Sequence, residues 1–522
     1  MTEHQLPKTI EALLDPNIYP HPVKEPIQLI QTHASFVLLT GDYVYKIKKS
    51  VNFGFLDYST LEKRRHFCQE EVRMNRRSAP EIYLGVVALT QTADTPVETL
   101  RDRLEFDGTG DPVEYAVKMR QFPQECLFSS LFQAGKLSED RMRELGRVVA
   151  EFHGKTETDD RILQFGEIAQ IRQAIDENYR QTEKYIGGPQ TRQQFEETKA
   201  YSDRFFVERK DLFKTRIARE KIRECHGDLH LRNIALYDDR IILFDCIEFN
   251  ESFRFVDVMY DIAFAVMDLE SRGSHVLATV FLNEYLERTG DWEGVQVLPL
   301  YLSRQAYVRG KVTSFLLDDP TVDETEKDRA RDTAAHYYEL AWQYTRRDRG
   351  RLILMSGLSG SGKSTVARQL AKPTGAIHIR SDAVRKHLAG IALHDRGTDA
   401  IYTPEMSRKT YGRLLELGEL LASQGFTVIL DAKYDTRNHR EAAIAVAEKR
   451  EIPLTIAHCT APMEVLRDRL HQRRGDIADA TADLLASQQQ AAESFTEREQ
   501  AYVRTIDTTA AIAPQLEAFF AP

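Results

Sequence analysis

Two short stretches carry residue types that can move a phosphate. The first, "CHGDLHLRNI" over 225–234, sets Asp228 two residues after a histidine and Asn233 five residues after that acid. The apolar run "RIILFDC" follows and carries Asp245 at its end. A carboxylate on a loop can take the proton of a hydroxyl, and an amide oxygen beside a second carboxylate suits a hard cation. The second stretch, "GLSGSGKST" over 357–365, fits G-x-x-x-x-G-K-[ST] in full. In that pattern the glycines let the backbone curl until successive N–H groups point at one phosphate, and the next helix adds its partial positive charge. Gly357, Ser359, Gly360, Ser361, Gly362 and Thr365 would build this cradle. Lys363 would reach the β- and γ-phosphates, and the Ser364 hydroxyl would ligate Mg²⁺. ATP and Mg²⁺ are therefore the expected cofactors.

A transferred phosphate needs an acceptor. "AIHIRSDAVRKHLAG" puts Asp382 just past a strand and Arg385 one helical turn on. An acid there can take the acceptor's proton, and an arginine can hold the acceptor or a phosphate. Spacing alone leaves open a helix-capping aspartate and a surface arginine. Asp431 closes the apolar strand of "FTVILDA", where a second acid can support Mg²⁺. "LRDRLHQRRGD" gathers Arg467, Arg469, Arg473 and Arg474. Such a cluster is either a solvated basic face or a lid over the phosphates, with Arg469 and Arg473 the expected nucleotide contacts.

On "GLSGSGKST", "SDAVRKHL", "VILDA" and "LRDRLHQRR", residues 350–520 resemble the small P-loop kinases that include gluconate kinase, polynucleotide kinase and the zeta toxins. That resemblance implies that Asp382 acts on the acceptor hydroxyl. On HGD-x-H-x-x-N and the later acid, residues 30–345 resemble the aminoglycoside phosphotransferase and choline kinase group. It implies Asp228 as catalytic base, Asn233 and Asp245 as Mg²⁺ ligands, His230 as a brace and Asp261 as a structural acid. The nucleotide lysine falls in "YVYKIKK", where alternation puts Lys46 and Lys48 on one face. Lys46 is preferred on its V-x-K pattern, with Glu71 ahead of Glu70 as partner. "AVKMRQF", with Met119, becomes the strand and hinge facing adenine. Two departures stand out: "QTHASFVLL" replaces a glycine-rich loop, and "CIEF", with Glu248, follows the metal acid where that group's relatives place Phe-Gly. The whole order is similar to bacterial fusions of a phosphotransferase-like domain with a P-loop domain.

Elements that position these residues follow from periodicity. Two strands flank a Gly41-Asp42 turn, and a helix begins at a Ser59 cap with Glu62 three residues on. Further strands cover "IYLGVVALTQ" and "VEYAVKMRQF", after which 129–223 and 257–346 read as helical. Beyond "YTRRDRG" strands alternate with helices, which predicts a parallel sheet. The biased stretch "DIADATADLLASQQQAAESF" reads as helix. The expected architecture is an α+β bilobal kinase-like domain over 1–346 (small lobe to about 122, helical lobe 123–346). An α/β P-loop domain over 347–522 follows.

The totals agree with a globular protein: 522 residues, 42% hydrophobic, 29% charged, net charge -10. That balance argues against a blanket nucleic-acid binder. Five cysteines without a CxxC pair suit free thiols in a reducing compartment. No leader and no 18-residue apolar run occur, so a cytoplasmic protein without membrane contact is expected. The expected activity is a bifunctional kinase with a small-molecule hydroxyl acceptor, an RNA or polynucleotide end being the second acceptor class. The alternative is one catalytic P-loop kinase regulated by a nucleotide-sensing first half.

Overall fold

The computed structural model describes residues 6–92, 104–347 and 349–520. The chain divides into two compact units. The first comprises residues 1–137, 151–171 and 211–265, and the second 138–150, 172–210 and 266–522.

The first unit holds an antiparallel sheet of β1 (Gln28–Gln31), β2 (Ser35–Leu39), β3 (Tyr43–Lys48), β4 (Tyr83–Gln91), β5 (Leu104–Phe106) and β6 (Asp111–Arg120). Their order is β1-β2-β3-β6-β4-β5. Lys46 of β3 stands opposite Val117 of β6, and Val44 opposite Met119. Alternation buries Tyr45 and Ile47 on one face of β3 and sends Lys46 and Lys48 to the other. Helix α1 (Leu61–Asn75) packs on β4 and β6 through Cys68 and Val72. Its cap is Thr60, whose hydroxyl accepts from Lys63 N, and not the expected Ser59. Ser59 is already committed one turn earlier, with its N–H and hydroxyl both bonded to Asp57. Two small ribbons complete the unit. β7 (Ile222–Glu224) pairs with β10 (Phe255–Asp257), and β8 (Ile234–Tyr237) with β9 (Arg240–Leu243). The 225–233 loop joins the ribbons, and Asp245 lies two residues past the end of β9. Asp261 lies in the first turn of α2 (Val258–Ser271).

The second unit joins helices α3 (His275–Thr289), α4 (Leu298–Ser314) and α5 (Glu324–Gln343) to a five-stranded parallel sheet. The strands are β11 (Arg351–Ser356), β12 (Ile377–Arg380), β13 (Thr427–Asp431), β14 (Leu454–Thr460) and β15 (Val503–Asp507), in the order β12-β13-β11-β14-β15. Leu352–Met355 are wholly buried, as a central parallel strand covered on both faces requires. The sheet's helices are α6 (Lys363–Thr374), α7 (Ser381–Ala389), α8 (Pro404–Ala422), α9 (Arg437–Lys449), α10 (Met463–Gln472), α11 (Leu485–Ala491) and α12 (Ile512–Phe520). Val366, Leu370, Leu516 and Phe519 share one core cluster with Ile353 and Ile429. Of the stretch read as one helix over 476–495, residues 482–491 are helical, a 3₁₀ turn at Ala482–Leu484 running into α11, while 476–481 and 492–495 are loop. All five cysteines are free, four of them buried. Among the described residues no helix is long and apolar enough to cross a membrane.

Candidate functional site

In the first unit, β3, α1 and the loop after β9 converge on charge. Lys46 Nζ lies 2.8 Å from Glu71 Oε1 and 2.6 Å from Asp245 Oδ1. Burial opposes its charge, but Asp245 and Glu71 outweigh burial and hold its pKa well above the usual lysine value. Lys48 Nζ lies 2.7 Å from the other oxygen of Glu71 and also bonds Glu248. Glu248 accepts the Tyr58 hydroxyl as well. Glu71 is thus fully buried between two lysines, whereas Glu70 turns outward to Arg73 at 2.9 Å. Asp245 has φ 61°, a left-handed backbone that a residue with a Cβ rarely adopts. Its carboxylate, paired with Lys46 through Oδ1, is still 43% exposed.

The 225–233 loop is braced from beneath. Asp261 accepts His226 N at 3.1 Å, Gly227 N at 2.8 Å and His153 Nε2 at 3.0 Å. Gly227 has φ 85°, and a Cβ there would stand 2.7 Å from Phe253 O. Asn233 Nδ2 donates to both the carbonyl and the carboxylate of Asp228, each at 3.0 Å. His230 Nε2 lies 3.4 Å from the same carboxylate. With its Nδ2 engaged, the amide keeps its oxygen for a cation. An amide oxygen and the Asp245 carboxylate form the hard donor set that suits Mg²⁺. Met119 lies on β6, which ends one residue later where Gln121 N bonds Asp42 O at 3.0 Å.

In the second unit a cleft of about 1040 Å³ opens over the C-terminal ends of β11 and β13. Ser359, Gly360, Gly362, Lys363, Ser364 and Thr365 line it, with Asp382, Arg385, Asp431, Arg469 and Arg473. Gly357 and Ser361, of the same loop, face a separate 220 Å³ cavity. At Gly357 (φ 131°) a Cβ would lie 2.4 Å from Cys459 O, so only glycine fits. Lys363 Nζ donates to Leu358 O at 2.8 Å, and burial lowers its pKa. Burial alone would raise the Asp431 pKa. His378 Nε2 at 3.0 Å, the nearby Arg380 and the Ser364 hydroxyl overcome that and hold it ionised, well below the carboxylate range. A serine hydroxyl in contact with a fully ionised aspartate fits Mg²⁺ coordination.

Asp382 behaves oppositely. Burial raises its pKa, and Arg380 only partly opposes this. A carboxylate shifted upward is better matched to accepting a proton near neutral pH. Arg385 lines the cleft with its guanidinium 3.0 Å from Ile401 O and 5.1 Å from the Tyr402 ring. Arg469 reaches the phosphate loop itself, 3.4 Å from Gly360 O and 2.8 Å from Thr508 Oγ1. Arg473 bonds Ala480 O. Arg467 is exposed and Arg474 folds back on His471 O at 3.0 Å, so the basic cluster divides between cleft and solvent.

Three cleft features carry no sequence signal. Gln488 Oε1 accepts Ser359 N of the glycine-rich loop at 3.1 Å. Arg380 is buried beside Asp476 at 2.5 Å. Tyr411 and His439 stack at 3.8 Å on the cleft wall. Each joins residues far apart in the chain, and only a contact map would have found them.

A family profile described as an AAA domain matches residues 352–495. The uncharacterized protein Rv2004c of Mycobacterium tuberculosis is 30% identical over 477 residues, spanning 90% of this chain and 91% of that protein. An adenylyl-sulfate kinase of Paraburkholderia xenovorans is 32% identical over 144 residues, 26% of this chain and 74% of that kinase. A solved choline/ethanolamine kinase family protein from Mesorhizobium loti is 12% identical, covers 65% of this chain and 99% of its own, and has a TM-score of 0.36.

Proposed function

This chain belongs to the family of the mycobacterial protein it matches over nine-tenths of its length, and we propose that it is a kinase with two ATP-dependent centres, each phosphorylating a hydroxyl. The observation that carries the reading is a repeated constellation. Each unit pairs a buried or half-buried lysine with a base-type aspartate and with hard oxygen ligands, built on unrelated folds. In the first these are Lys46, Asp228, Asn233 and Asp245; in the second Lys363, Asp382, Ser364 and Asp431.

At either centre the lysine would hold the phosphate tail and the aspartate would take the acceptor proton. The acceptor oxygen then bonds the γ-phosphorus as the bond to the β–γ bridging oxygen breaks, and ADP leaves. Mg²⁺, held by Asn233 and Asp245 or by Ser364 and Asp431, would neutralise charge on the phosphates. Arg469 and Arg473, which line the same cleft, would do the same. The likeness to adenylyl-sulfate kinase supports a small-molecule acceptor for the second centre; a polynucleotide end is the alternative acceptor class.

One observation favours a second reading for the first centre. Lys46 is closed on Asp245, so lysine and metal acid neutralise each other until nucleotide parts them. A nucleotide sensor that gates the other centre would rest in that state. Turnover of labelled ATP by the full chain, by Asp228→Ala and by Lys363→Ala separates the two. Each variant keeps one Mg²⁺-dependent transfer activity if both centres work. Loss of all transfer in Lys363→Ala, with nucleotide binding kept, leaves the sensor, and loss of everything in either variant overturns independent centres.

A further inference from the structure

One edge of the parallel sheet is β12, the strand that leads into Ser381 and Asp382. An edge strand presents unpaired N–H and C=O groups that must find partners. Here one side chain of helix α3 supplies both. Asn283 Nδ2 donates to Ala376 O at 2.9 Å, and its Oδ1 accepts His378 N at 2.8 Å. The amide mimics a neighbouring strand at the point where β12 begins.

One helical turn later on the same face, Glu287 meets the far end of β12. Its Oε1 lies 3.5 Å from Arg380 Nη1, and its carbonyl accepts His387 Nε2 at 2.8 Å. His378 and Arg380, two apart, point to one face of β12. His378 bonds Asp431 at 3.0 Å; Arg380 bonds Asp476 at 2.5 Å and brings its Nε within 4.0 Å of Asp431. Arg380 is therefore shared among Glu287, Asp476 and Asp431. Without the Glu287 charge it is drawn more strongly to Asp431, where it competes with a cation.

We propose that Asn283 and Glu287 are positioning residues of the P-loop centre, setting β12 and dividing the Arg380 charge so that Asp431 stays available to metal. The inference rests on the P-loop reading given above. It makes a helix that precedes the phosphate loop by some seventy residues part of that centre.

The test uses the full chain with Asp228→Ala as background, so that only the second centre turns over. Glu287→Gln keeps the shape and removes the charge. It should raise the half-saturating Mg²⁺ concentration about tenfold, the low end of what partners of metal ligands cost, with kcat changed much less. Glu287→Asp should recover part of the shift. Asn283→Ala should lower kcat about tenfold by loosening β12. Wild-type kcat and Mg²⁺ dependence in Glu287→Gln overturn the proposal, as does a lowered Tm with unchanged kinetics. If the parent shows no Lys363-dependent turnover, the kinase reading falls. The Mg²⁺ dependence is then read from binding of Mg²⁺ and ADP by calorimetry, where unchanged affinity in Glu287→Gln overturns the positioning role by itself.

Discussion

Lys46 and Lys48 share Glu71, yet replacing them with methionine should fail in opposite ways. The Lys48 side chain is 1% exposed, and its partners Glu71 and Glu248 are 0% and 6% exposed. Without it, among the described residues, Glu248 keeps the Tyr58 hydroxyl as its hydrogen-bond partner, with Lys46 only a more distant charge. Removing one member of a buried ion pair costs about 3–5 kcal/mol. Since Glu71 retains Lys46, the lower figure applies, about 3 kcal/mol. For a unit of this size that lowers Tm by about 6–12 °C. Lys46→Met leaves Glu71 with Lys48 and leaves Asp245 hydrated at 43% exposure, so the stability loss is about 1 kcal/mol or less. Its effect should appear on nucleotide. A lost charge-assisted contact of about 2–3 kcal/mol weakens MgATP binding about 30- to 150-fold. Calorimetric unfolding and titration with a non-hydrolysable ATP analogue, both in a Lys363→Ala chain, read the two effects separately. If Lys48→Met unfolds within about 2 °C of its parent and loses nucleotide affinity, the assignments are reversed.

Asp382→Asn should lower second-centre turnover about 10²- to 10⁴-fold. In the parent, kcat/KM should fall as pH drops through a pKa above the ordinary aspartate value, because burial disfavours the charged base; a flat acid limb excludes Asp382. Gln488→Ala frees the Ser359 N–H and should tighten nucleotide binding at the P-loop by about 0.5–1.5 kcal/mol, roughly two- to tenfold. Calorimetry in a Lys46→Met chain checks this, and weaker binding would instead place Gln488 on the nucleotide. Arg440 and Glu499, each 1% exposed and 2.7 Å apart, tie α9 to the segment before β15. Arg440→Met should cost about 3–5 kcal/mol in urea unfolding, and Arg440→Met with Glu499→Leu together should cost less than the single change.

The phosphate loop and the HGD loop were legible because their chemistry is contiguous: the residues that act together are neighbours in sequence, and the flanking strands and helices carry clear periods. The face of α1 was harder. Glu70 and Glu71 lie about 100° apart around the helix, and choosing between them requires knowing which side packs on the sheet. Lys46 and Lys48 both point inward, so alternation could not separate them. β15 carries a weak strand signal because an edge strand buries one face lightly, and in "VRTID" Ile506 alone is buried. Residues 476–495 have helix-forming composition, and the helix forms only over 482–491, so composition gave the element but not its ends. Ser59 is if anything the better cap by type, but its hydroxyl and N–H are both taken by Asp57, which leaves the cap to Thr60.

Asp245 carries a constraint beyond its charge. Its left-handed backbone admits asparagine, aspartate and glycine far more readily than alanine or any β-branched residue. Descendants released from selection on the first centre should therefore drift at this position through Asn and Gly first, keeping the shape of the turn after its carboxylate has gone. In such a lineage a vanished function would leave a narrow, recognisable scar in the genetic record instead of random decay.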